Sequence, residues 1–228
     1  MLIGGVNIVI KPYSLGRRKG LRTYLNGTPV SRKPVSEDIA LKQADALKKT
    51  GMGGKIKSYA LSETDIREII PTLKIIAYPD LLGATSIDDV LDEKGRLMLL
   101  YLTTSKSNGH WVCLLRPRKT PGIIEYFDPY GKYEPDEESE WLSKQELNEF
   151  GQSTFHLSKL LESSPYKIIY NTYPFQKLKR DNNTCGRHCT CRLYFKHLNI
   201  DEYTDMIIKS GIPSDDFVMG FTYNMIGK

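Results

Sequence analysis

The sequence has no run approaching the ~18 consecutive apolar residues that a bilayer-spanning helix needs, and its first apolar stretch, over residues 2–10, has no basic segment ahead of it. Neither a membrane span nor a secretory leader is expected. Cysteine is scarce, with four in 228 residues and three of them crowded between positions 185 and 191. So few cannot form a disulfide framework for a chain of this size, which suits a reducing compartment such as the cytoplasm or nucleus. An internal repeat, a helix-turn-helix pattern and a basic strand interleaved with aromatics are all missing, so a nucleic-acid-binding module as the sole function lacks its usual signatures.

What is present is an ordinary globular balance, 40% hydrophobic and 26% charged, enough for one domain with a full core and an added arm. The net charge of +5 hides an asymmetry: residues 1–60 hold 12 Lys and Arg against 3 acidic residues, whereas residues 61–228 hold 20 against 24. Basic clusters at 16–22 and 31–34 lie among Gly, Pro and Ser, and the glycines of 50–55 read as a joint. We therefore divide the chain into a basic N-terminal arm, 1–60, and a folded domain, 61–228. Within the arm, apolar spacing behind Ser36 predicts one short amphipathic helix over 36–49. The arm's charge fits non-specific contact with nucleic acid, or simply a solvated face.

Beyond the joint, Ser62 caps a predicted helix that Pro71 stops, and a second short helix is expected at 86–91. Apolar runs over 96–102, 110–115 and 123–128, bounded by turn residues, predict strands covered on both faces. Helical periodicity follows over 143–161, a short strand over 166–170, and helices over 185–198, 201–209 and 215–225. The class is α+β, with a central, mostly antiparallel sheet flanked by helices.

The chemistry gathers on three side chains. Asn182, Asn183 and Thr184 can cap a helix opening at Cys185, whose unpaired amides and dipole favour thiolate over thiol and can receive the oxyanion of an attacked carbonyl. If 110–115 and 123–128 pair symmetrically about Lys119, Leu115 faces Ile123 and His110 faces Asp128, with Cβ atoms roughly 5 Å apart. The carboxylate would then accept the Nδ1 proton of the imidazole. Each residue has a plain structural reading: a rim histidine, a turn-forming aspartate before Pro129, a cysteine at a helix start. Together they provide a nucleophile, a base and an orienting acid. A zinc cluster of Cys185, His188, Cys189 and Cys191 is the metal alternative, but helical spacing turns residue 191 away from the other three.

Gly109-His110-Trp111, the run from Tyr126 through Phe127, Asp128, Pro129 and Tyr130 to Gly131, then Gln176, and finally Asn183-Thr184-Cys185-Gly186 occur in that order. This set resembles the adenain-type viral maturation proteases and their relatives, the ubiquitin-like-protein proteases, over roughly residues 60–228. The resemblance implies a papain-like core and a thiol endopeptidase with His110, Asp128 and Cys185 as its triad, Gln176 donating to the oxyanion, and no metal or cofactor. Gln176 stands nine positions before Cys185, further than is usual in that family, and Asn182 is the alternative donor. The viral branch implies cleavage after Gly-Gly-like sites in capsid or core precursors, inside a virion or in the host cytoplasm or nucleus. Deubiquitinase-like or deSUMOylase-like removal of modifiers from host conjugates is the alternative. Leu2 through Gly5 also fit the cleavage pattern, so self-processing between Gly5 and Val6 is a further expectation.

Overall fold

The computed structural model describes residues 59–226 except 106–107, 134, 136, 138–141 and 180–181, and also residues 2–3, 6–15, 18–25 and 28–29. The N-terminal set forms a four-stranded antiparallel sheet in chain order: β1 (Leu2–Ile3), β2 (Val6–Leu15), β3 (Arg18–Leu25) and β4 (Thr28–Pro29). Residues 2–3, 6–15, 18–25 and 28–29, all within the expected arm of 1–60, are thus strand. The helix expected over 36–49 and the Gly4-Gly5 pair lie outside the described residues.

The main body is built on a second sheet of five strands, β5 (Ile75–Ala77), β6 (Arg96–Ser105), β7 (Asn108–Leu115), β8 (Ile123–Phe127) and β9 (Lys167–Tyr170), lying side by side in chain order. The β6–β7 and β7–β8 pairings are antiparallel, while β5–β6 and β8–β9 are parallel. The sheet is mixed, and the expectation of a mostly antiparallel one is corrected. Each outer strand arrives after a crossover or precedes one, which apolar patterning alone does not encode.

Alternate side chains go to opposite faces, as pleating requires. On one face Met98, Leu100, Leu102, Cys113, Leu115 and Phe127 pack with helices α1 (Glu63–Ile69), α5 (Cys185–Tyr194), α6 (Ile200–Lys209) and α7 (Ser214–Ile226). On the other, Leu97, Leu99, Val112, Leu114, Ile124 and Tyr126 pack with a 3-10 turn over Tyr78–Gly83 and with α2 (Ile87–Val90) and α4 (His156–Glu162). These strands are buried on both sides, as their unbroken apolar runs predict.

Ser62 caps α1 reciprocally with Asp65, and Ser86 caps α2 in the same way with Asp89. The single helix expected over 143–161 is instead α3 (Lys144–Glu149), a 3-10 turn over Gln152–Thr154 and α4. Gly151 and Phe155 both take left-handed backbone there, at φ 68° and 51°, and break the ladder twice. Helix α4 has no cap of its own, and Glu137 substitutes by accepting from the Leu157 and Ser158 amides. No helix among the described residues is long and apolar enough to cross a membrane.

Candidate active site

Strand register sets the first half of the site. The β7–β8 pairs are Cys113 with Phe127, Leu114 with Tyr126 and Leu115 with Glu125. This is two residues away from the symmetric hairpin about Lys119, so His110 and Asp128 are not directly opposed. Two successive turns, Thr120 N–H to Pro117 C=O and Ile123 N–H to Thr120 C=O, lengthen the connection and cause the shift. An even slip keeps the same side chains on the same face, and His110 Nε2 lies 2.9 Å from Asp128 Oδ1. The ring is therefore turned the other way from expectation: Nε2, not Nδ1, meets the acid.

Asp128 closes β8 and opens a tight turn. Its carbonyl accepts from Gly131 N–H at 2.9 Å and its Oδ1 from Tyr130 N–H at 2.8 Å. Asn171 grips its backbone from the far side, Oδ1 accepting from Asp128 N–H at 2.8 Å and Nδ2 donating to Asp128 C=O at 2.7 Å. Gly131 has φ 77°, and a Cβ there would stand 3.0 Å from the backbone of Tyr173 and Pro174. The turn-forming and acid roles of Asp128 are one arrangement. Tyr130, carried round by this turn, stacks on the His110 ring at 4.6 Å between centroids.

Helix α5 supplies the other half. It begins at Cys185, and Gly186 lets it settle against the sheet, since a Cβ would lie 3.1 Å from the Trp111 ring. The Cys185 thiol is hydrogen-bonded to His110, and the backbone N–H groups of Trp111 and Gly186 donate toward the sulfur. Burial opposes the thiolate, but the His110 partnership and these amides outweigh it and hold the thiol below its usual range. Burial likewise opposes the imidazolium, yet the charge and hydrogen bond of Asp128, with Cys185 on the other side, push His110 up to about 10. Both shifts favour the thiolate and imidazolium forms of the pair. Tyr130 is raised to about 12, first by burial and then by the charges of Cys185, Asp128 and Asp215.

His110, Asp128 and Cys185 thus come together as a connected set. Gln176 is buried in the loop before α5 and held in place: its Nε2 donates to Asn182 C=O at 2.7 Å and its N–H to Pro129 C=O at 2.8 Å, while Oε1 has no hydrogen-bond partner among the described residues. Asn182 is committed to the loop itself, Nδ2 donating to Lys177 C=O at 2.8 Å. Thr184 occupies the N-cap position but does not cap. Its hydroxyl lies 2.7 Å from Asp215 Oδ1.

The cysteines and histidine weighed as a metal cluster have other engagements. Cys189 Sγ donates to Trp111 C=O at 3.2 Å and His188 Nε2 lies 3.0 Å from Asp215 Oδ1. Burial drives the Cys189 and Cys191 thiols well above their usual range, to about 12 for Cys191. Among the described residues no group of three or more His, Cys, Asp or Glu is arranged to hold a metal ion.

Two features escaped the sequence reading. Arg192 on α5 makes a fully buried bidentate pair with Glu125 on β8, at 2.6 and 2.7 Å, tying the thiol's helix to the acid's strand. The second is the His188–Asp215 pair. Both join residues 27 or more positions apart, and only a charge inside an apolar pattern hints at the first. Gly109 was read only as part of a motif. A Cβ there would fall 1.7 Å from the Tyr101 carbonyl oxygen, so this position admits no side chain while β6 and β7 remain this close beside His110.

No family model matches the chain. It is similar to the uncharacterized protein V9 of Sputnik virophage, with 39% identity over 145 residues, which is 63% of this chain and 81% of V9. At that identity and coverage, the chain belongs to the same family as this virophage protein.

Proposed function

We propose that the protein is a cysteine endopeptidase that cuts after Gly-Gly-like sites in viral capsid or core precursors. The observation that carries this reading is the connected set of Cys185 at the start of α5, His110 bonded to it, and Asp128 2.9 Å from Nε2. With Nε2 on the acid, Nδ1 is the ring nitrogen that serves the thiol. The Cys185 thiolate attacks the scissile carbonyl, the His110 imidazolium gives its proton to the leaving amine, and a thioester remains. His110, now neutral, takes a proton from water, which attacks the thioester and releases the acid and the thiol. Amides at the α5 N-terminus and the second Nε2–H of Gln176, the first being held by Asn182 C=O, are the donors for the developing oxyanion. Two glycines fit such a site because backbone without Cβ can thread a narrow cleft. A relative from a virophage supports a viral precursor as the substrate over a host conjugate.

The test is incubation with a Gly-Gly capsid-type peptide and, in parallel, with a ubiquitin-like conjugate. Cleavage of the peptide by the wild type, with loss of about 10⁶-fold in Cys185→Ala, is the expected outcome. Cutting by folded Cys185→Ala overturns the reading, and preference for the conjugate moves the substrate to host modifiers.

A further inference from the structure

We propose that Asp215 is the positioning residue of this site, acting through Thr184 to set residues 176–179 and 182–184, which carry the oxyanion donor and lead into the nucleophile. This rests on the peptidase reading above.

The carboxylate sits in the first turn of α7 and is almost fully buried. Four groups converge on it. Thr184 Oγ1 lies 2.7 Å from Oδ1, His188 Nε2 3.0 Å from the same oxygen, Lys177 N–H donates to Oδ2 at 3.3 Å, and the Asn182 side chain is a fourth partner. These partners are spaced along the loop with purpose. Lys177 follows Gln176, Asn182 receives the Gln176 amide on its carbonyl, Thr184 precedes Cys185, and His188 is one turn further along α5. One carboxylate therefore fixes both ends of the loop and the helix it feeds.

Its charge is secure. Burial works against it, but His188, Thr184 and Asn182 outweigh burial and hold Asp215 down to about 2. His188 is depressed by its complete burial despite the carboxylate, and its Nε2 faces Asp215 Oδ1. Its Nδ1 has no hydrogen-bond partner among the described residues, the cost of placing an imidazole there. Thr184 is the informative member. An N-cap threonine ordinarily turns its hydroxyl onto its own helix, whereas this one gives up the cap and reaches across to α7. Nothing about helix stability explains that choice.

Asp215 does not touch the sulfur, so two measurable properties separate. Thiolate formation depends on His110, Asp128 and the amides at Cys185, whereas turnover also needs the loop that presents Gln176 and the first-turn amides. Thr184→Val, which keeps shape and removes the hydroxyl, is expected to lower kcat about a hundredfold, with KM and the alkylation rate of Cys185 by iodoacetamide at pH 6 within about threefold of wild type. Thr184→Ser restores turnover. Asp215→Asn behaves as Thr184→Val does if it folds, and the valine variant carries the test if it does not. Wild-type kcat in Thr184→Val overturns the positioning role and leaves the peptidase reading standing. Equal loss of kcat and of alkylation also overturns it, by showing a general collapse of the site. A wild type that is alkylated rapidly but cuts no peptide removes the peptidase reading and this proposal with it.

Discussion

At the scale of single residues, His110 is held charged by a neighbour rather than by its own chemistry. Burial pushes its proton off and Asp128 keeps it on, to about 10. Asp128→Asn removes the opposing charge and leaves burial in command, so the imidazolium is lost and the Cys185 pKa climbs. At a fixed pH below that pKa, each unit of climb costs roughly tenfold in thiolate. Cys185 alkylation in this variant is expected to shift to higher pH, with peptide turnover falling about four orders of magnitude. An unchanged alkylation profile would mean that Asp128 does not govern the pair. In the wild type, turnover is expected to persist into mildly alkaline solution and to decline as His110 loses its proton near 10, which a pH profile of kcat reads directly.

Elements are joined at the site by contacts with little tolerance for change. Arg192 and Glu125 are both completely buried, so Arg192→Met strands a carboxylate between α5 and β8 and is expected to cost about 3–5 kcal/mol, seen as a lower denaturant midpoint. Replacing both with leucine should recover most of that loss, because no buried charge is then left unpaired. Gly109→Ala puts a methyl into the Tyr101 carbonyl, and backbone cannot swing aside as a side chain can. Its cost should exceed the ~1–3 kcal/mol of ordinary overpacking, measured by thermal unfolding. Strand positions were legible because apolar runs are local signals, whereas the α5 start was placed by residues read as caps although Thr184 faces Asp215 and caps nothing. The β7–β8 register was not legible, since it depends on how residues 117–123 fold into two turns, a detail that an even slip conceals by leaving His110 and Asp128 on one face. The ring orientation of His110 and the second His–Asp pair were illegible for a related reason: each is decided by packing between elements distant in the chain.

Taken as a whole, the molecule joins a basic N-terminal segment to a body of opposite net charge. Residues 11–57 are expected to bind nucleic acid without sequence preference, with affinity falling steeply as salt rises. Deleting residues 1–58 spares Tyr59, whose hydroxyl donates to Asp65 at 2.8 Å and whose ring lies beneath the Arg187 guanidinium. That deletion should abolish salt-dependent retention on DNA, measured by fluorescence anisotropy, while peptide cleavage continues. Retention that survives the deletion would place the nucleic-acid contact elsewhere. The order of parts along the chain has a consequence in time. His110, Asp128 and Cys185 are all synthesised before α7, and Asp215, which braces the loop carrying the nucleophile, is made later than all of them. A nascent chain emerging from the ribosome N-terminus first therefore holds every reacting group before it holds the brace. Peptidase activity should switch on only after α7 has been made and docked.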